Sequence, residues 1–126
     1  MTATNRDNTA RNIGRMRAAT IVSKPWGREV WYANEDQYAG KILEVTAGHS
    51  LSLQKHEFKT ETMYLLSGKI WFHLNGLEFE FIPGASLTIR PGDVHRLHAL
   101  EDSVVLEVST PHLSDVVRLE DNYGRQ

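Results

Sequence analysis

Cysteine is absent from the 126 residues. That excludes disulfides, thiolate metal sites and a cysteine nucleophile, and it agrees with a cytoplasmic location. A charge excess is also missing. The formal net charge of -2 gives no footprint for nucleic acid or for a membrane surface. No apolar run approaches membrane-spanning length. The first residues carry Arg6, Arg11, Arg15 and Arg17 and no apolar stretch, so they do not read as a secretory signal. No segment has the period of a long amphipathic helix, and no internal repeat stands out. What remains is one ordinary globular domain, with 40% hydrophobic and 24% charged residues.

Short apolar runs punctuated by glycine and proline fill most of the chain. Residues 1–20 have no strand pattern and little to bury, so they are expected to be a flexible arm, with one folded domain over 21–126. "KPWGREVWY" from Lys24 places a turn before a strand, and "KILEVTAG" from Lys41 is strand-like. In "TMYLLSGKIWFHLNGLEFEFIPG" the Asn75-Gly76 pair is a strong hairpin signal. Leu77, Phe79 and Phe81 alternate there with Glu78 and Glu80, as on a strand with one wet face. Further strands are expected in "ASLTIRPGDVHRLHA" and "SVVLEVST". The charged tail "DVVRLEDNYGRQ" is expected to leave the sheet. The pattern predicts an all-β sandwich or barrel.

One strand is chemically odd. Residues two apart share a face, so Ser52, Gln54 and His56 point one way and Leu51 and Leu53 the other. Glu61 is in phase with Met63 and Leu65, which predicts an inward carboxylate that needs a partner or a metal. The turn "RPGD" can aim His95 at the same place from a distant strand. Gln54, His56, Glu61 and His95 form an N/O donor set suited to Zn, Mn, Fe, Ni or Co. The residues alone leave two readings open: this site, or a polar surface strand with a chance histidine. His98 falls on the face opposite His95 and reads as structural, as do His73 and His112. His49, in a turn, is expected to be exposed. Trp26 and Trp71 read as core or interface residues.

The stretch "GHSLSLQKHEFKTETMYLLSG" resembles the first cupin motif, and "GASLTIRPGDVH" the second. Cupins usually carry His where Gln54 stands. The Gln-x-His, Glu, His set resembles the phosphomannose isomerases. "KPWG", "LSLQ-H" and "DVVRLEDNYGR" are similar to the C-terminal isomerase domain of bifunctional mannose-6-phosphate isomerase/mannose-1-phosphate guanylyltransferases. Their nucleotidyltransferase domain has no counterpart in this sequence. The relatives also have a His-rich stretch where this chain has Glu57-Phe58-Lys59.

The resemblance implies a jelly roll, the cupin double-stranded β-helix. It implies one divalent ion, zinc before Mn, Fe, Ni or Co, held by Gln54, His56, Glu61 and His95. The expected activity is aldose–ketose isomerisation of a sugar or sugar phosphate, with Lys41, Lys59 or a metal-bound water as proton carrier and Arg90, Arg118 and Arg125 as phosphate clamps. Two other readings stand beside it: a non-catalytic sugar-binding module, and an iron-dependent dioxygenase, which Gln54 disfavours. Jelly rolls protect their edges incompletely, so a homodimer is expected, through an N-terminal strand exchanged or added at an edge.

Overall fold

A computed structural model describes residues 13–126. Eleven strands run through them: β1 (Thr20–Lys24), β2 (Gly27–Asn34), β3 (Ala39–Val45), β4 (Leu53–Lys55), β5 (Glu61–Ser67), β6 (Ile70–Leu74), β7 (Leu77–Phe81), β8 (Ser86–Ile89), β9 (His95–Ala99), β10 (Ser103–Ser109) and β11 (Val117–Glu120). They form a six-stranded sheet, β1-β2-β3-β10-β5-β8, and a five-stranded sheet, β11-β4-β9-β6-β7. Every pairing is antiparallel. This is the all-β fold that the strand pattern predicts and the jelly roll that the resemblance implies.

Of the expected arm, residues 1–12 lie outside the described residues, and Thr20 already belongs to β1. The N-terminal strand pairs within its own chain, Lys24 opposite Gly27 in a tight hairpin with β2. Glycine is required at that turn. Gly27 has φ 150°, and a Cβ there would lie 1.9 Å from the Glu44 carbonyl oxygen on β3. The Asn75-Gly76 hairpin forms with φ of 50° and 83°, the positive pair that a type I′ turn needs. Phe81 at its base is buried, whereas Leu77 beside the turn is exposed.

The tail does not leave the sheet. Val117–Glu120 pairs with β4 and forms the edge of the five-stranded sheet. Between the sheets lie Leu43, Val45, Met63, Leu65, Ile70, Phe72, Phe81, Ile89, Leu97 and Val105. Phe72 meets Phe81 edge-on at 6.0 Å and stacks on the His95 ring at 6.3 Å. The apolar core therefore supports a candidate ligand directly.

Candidate metal centre and cavity

The odd strand resolves into a convergence. Gln54 on β4 stands opposite His95, the first residue of β9. His56 follows β4, and Glu61 opens β5 from the other sheet. His56 Nε2 lies 3.4 Å and His95 Nε2 3.5 Å from Glu61 Oε1. All three side chains are at most 2% exposed, and each offers a donor atom within 4.8 Å of the others.

The hydrogen bonds around the centre suit a metal ion. His56 Nδ1 donates to the Asp115 carbonyl, and His95 Nδ1 donates to the Asp93 carbonyl at 2.9 Å. Those bonds fix the proton on Nδ1 and leave both Nε2 lone pairs facing Glu61, the arrangement that orients imidazole ligands. His56 Nε2 and Glu61 Oε1 are buried without a regular hydrogen bond. Such atoms are costly to bury unless something binds them. His56, Glu61 and His95 fit a divalent ion that accepts nitrogen and carboxylate ligands.

Gln54 is beside the centre but turned. Its Oε1 accepts from Ser52 Oγ at 2.7 Å, and its Nε2 faces His95 Nε2 at 3.5 Å. Ser52 Oγ can accept as well as donate. Turning the amide over would keep the Ser52 bond and aim Oε1 at the centre.

A buried charge network extends from Glu61. On the inner face of the six-stranded sheet, Trp31, Lys41, Glu107 and Met63 form one cross-strand row, and Ser109 and Glu61 stand opposite each other in a nearby one. Lys59 Nζ sits 2.8 Å from Glu61 Oε2 and 3.5 Å from Glu107 Oε2. Burial alone would lower the Lys59 pKa, but the Glu107 and Glu61 carboxylates hold it above its ordinary value. Burial, then the charge of Glu61, pushes Glu107 up to about 8. Burial would also raise Glu61; the His56 and His95 rings beside it and the Lys59 charge outweigh it and leave Glu61 well below the usual range. A second buried pair, Lys41 Nζ to Glu29 Oε2 at 3.3 Å, touches none of the three candidate ligands.

These groups face a cavity of about 320 Å³ whose walls include Gln54, His56, Lys59, Glu107, Lys41 and Glu29. Lys24, Arg118 and Arg125 also line it. Burial, together with Lys41, Arg118 and Arg125, lowers the Lys24 pKa against the pull of Glu29. Arg125 is braced by Asp121 through bonds of 3.0 and 2.9 Å and lies over the Tyr123 ring. Arg118 donates to the Gln126 carbonyl at 2.6 Å, and its Nε is buried without a partner.

Arg90 stands apart from this cluster. Its side chain is exposed at the "RPGD" turn and does not line the cavity. His49 is half-buried rather than exposed: its Nδ1 meets Tyr123 Oη at 2.8 Å and the two rings stack. His98 bonds Ser50, and His73 pairs with Glu78. Trp26 is a core residue that also lines the cavity. Sequence reasoning passed over Lys24, Glu29 and Glu107. Glu107 carried a usable signal, since it is in phase with buried Val105, just as Glu61 is with Met63.

Two facing antiparallel sheets with this centre between them define a cupin. KdgF from Halomonas sp. superposes with a TM-score of 0.67 at 19% identity, over 76% of this chain and 87% of that one. An RmlC-like cupin from Shewanella frigidimarina gives 0.67 at 12% identity, over 74% and 84%. Within that class the chain belongs to the mannose-6-phosphate isomerase C-terminal family, whose model matches residues 11–121. The mannose-1-phosphate guanylyltransferase ManC of Salmonella typhimurium is 30% identical over 109 residues, which are 82% of this chain and 23% of ManC. This chain thus spans about a quarter of that relative.

Proposed function

We propose that the chain is a metal-dependent aldose–ketose isomerase acting on a sugar phosphate, with mannose 6-phosphate the first candidate from its family. The observation that carries this reading is a single cavity that meets two needs. Its wall includes His56, which adjoins the buried Glu61, and the cations Lys24, Arg118 and Arg125. Isomerisation moves one proton between adjacent carbons and one between their oxygens, with no redox partner. A divalent ion held by His56, Glu61, His95 and a turned Gln54 would supply Lewis-acid polarisation of those oxygens. Lys59 contacts Glu61 and so positions a ligand. Lys41, paired with Glu29 and clear of the three ligands, is the group to which we assign the carbon proton transfer. The rim cations take the phosphate through charge-assisted hydrogen bonds. Arg90 is exposed and contributes nothing to this reading.

The test combines metal analysis with turnover of an aldose-phosphate panel. His56→Ala and His95→Ala should each lose most bound metal, and Gln54→Ala should lose less, because water can replace an amide oxygen. Lys41→Met should keep its metal and lose turnover. Arg118→Ala and Arg125→Ala should weaken the phosphorylated sugar by about 1.5–3 kcal/mol and leave its unphosphorylated analogue unaffected. Full metal content in both histidine variants would remove the centre. Metal binding without turnover of any sugar phosphate would favour a second reading, a non-catalytic sugar-binding module.

A further inference from the structure

The "KPWG" turn leaves Lys24 at the cavity and starts β2, whose inward side chains include Glu29 and Trp31. Trp31 stands opposite Lys41 on β3. Unlike Trp26, it lies outside the buried core cluster; it is half-buried and lines the cavity. Its indole Nε1 donates to Glu29 Oε1 at 2.9 Å, and Lys24 Nζ approaches the same oxygen at 3.9 Å. The other oxygen, Oε2, holds Lys41 Nζ at 3.3 Å. One buried carboxylate therefore fixes an aromatic ring, a rim cation and the assigned proton carrier relative to one another. The Lys41 ammonium lies 5.4 Å from the ring centroid. That is near the outer limit of roughly 6 Å for a cation–π pair, so the ammonium borders the ring and does not rest on it.

We propose that Trp31 is the sugar platform of this cavity, and that its ligand is a sugar phosphate bound as a closed ring with its C–H face stacked on the indole. The inference rests on the functional reading above and names the form in which the substrate enters. With its N–H committed to Glu29, the indole has no donor to offer a ligand. It presents an apolar surface in a cavity otherwise rich in charge. Hydroxyls and phosphate gain nothing from such a surface. The C–H bonds on one side of a pyranose do, because they are apolar, lie side by side and are already ordered by the ring. An open chain presents no flat face until it is fixed in one conformation, which costs rotational freedom. The cavity of about 320 Å³ is at the small end of ligand sites, a size that suits one monosaccharide phosphate and not a sugar nucleotide. A sugar on the ring lies beside the Lys41 amine, with Lys24 close to the oxygen that anchors the indole.

Calorimetry of the full chain with two unreactive ligands tests the proposal. One is a 1,5-anhydrohexitol 6-phosphate, locked as a ring; the other is the open-chain hexitol 6-phosphate, which carries the same phosphate. Trp31→Ala should weaken the cyclic ligand about tenfold and the open-chain ligand less than about threefold, with metal content unchanged. Trp31→Phe keeps an aromatic face and should hold the cyclic ligand within about threefold of wild type. Trp71→Ala, on the other sheet between the buried Ile70 and Phe72, should change neither affinity. In the wild type, the Trp31 indole N–H resonance should shift when the cyclic ligand binds, a readout that needs no variant to fold. Equal losses for both ligands in Trp31→Ala overturn the platform and leave the isomerase reading standing. So does an unmoved Trp31 resonance in a protein that binds the cyclic ligand. A Trp31-dependent preference for the ring without turnover of any sugar phosphate supports the platform and removes the isomerase. A wild type that binds neither ligand overturns both.

Discussion

Asp115 holds the segment that begins at His56 from two sides. Its backbone carbonyl accepts the Nδ1 proton of His56, and its carboxylate accepts the amides of Glu57, Phe58 and Lys59 at 2.7–3.1 Å. One residue before β11 thus fixes a candidate metal ligand and the lysine bound to another. These amide bonds, with backbone hydrogen bonds the chief favourable cause, keep the Asp115 carboxyl below its ordinary value despite burial.

Asp115→Ala should therefore damage the centre from outside it. It leaves three amides without their anionic acceptor, and the His56 ring loses a fixed support. Metal affinity measured by calorimetry should fall about 10–100-fold, as is usual when a partner behind a ligand is removed. The ¹⁵N signals of His56 should lose their single Nδ1–H pattern. Unchanged affinity with unchanged histidine signals would show that Asp115 merely ties down a loop.

Lys59→Met tests the buried network by subtraction. The ammonium lies between Glu61 and Glu107, so its loss leaves two carboxylates buried side by side. In the metal-free protein this should cost about 3–5 kcal/mol in denaturant unfolding. Saturating divalent ion should recover part of that loss, because a cation returns to Glu61. A loss that metal does not reduce would separate Lys59 from the centre.

Asp121 gives the rim an acid limit. Its hydrogen bonds from Arg125 hold its carboxyl at about 2, below an ordinary value of 3.8. A carboxyl depressed in the folded state stabilises the fold fully above its unfolded pKa, and that contribution is lost as pH falls through the folded one. The bracing of Arg125 should thus be complete above 3.8 and disappear between 3.8 and about 2. Fluorescence of Tyr123, which stacks on His49 and lies under Arg125, should report the change. Asp121→Asn should abolish this step and weaken phosphate binding at neutral pH. An identical acid profile in the variant would sink the assignment.

The convergence of His56, Glu61 and His95 was legible because strand period is local. Glu61 in phase with Met63 and Leu65 declares its face without knowledge of any other strand, and the "RPGD" turn marks where His95 begins. The role of Asp115 had no such signature, since its partners lie more than fifty residues away in the chain. β11 was missed for a related reason: four residues, Val117–Glu120, in a charged tail become a strand only when β4 supplies the other half of the ladder. The turn that located His95 also drew attention to Arg90. There the backbone nitrogen is engaged by Asp93 while the side chain points to solvent.

β11 is synthesised after every other strand and pairs with β4, whose residues precede it by some sixty positions. It can join the sheet only after the other strands have been made. The two sheets can thus close on a growing chain before Asp115, Arg118 and Arg125 exist to complete the site. A ribosome-stalled chain ending after β10 would then hold a folded barrel with His56 unsupported and the rim stripped of two of its cations. Maturation of the cavity would be a separate, final event in the life of the molecule.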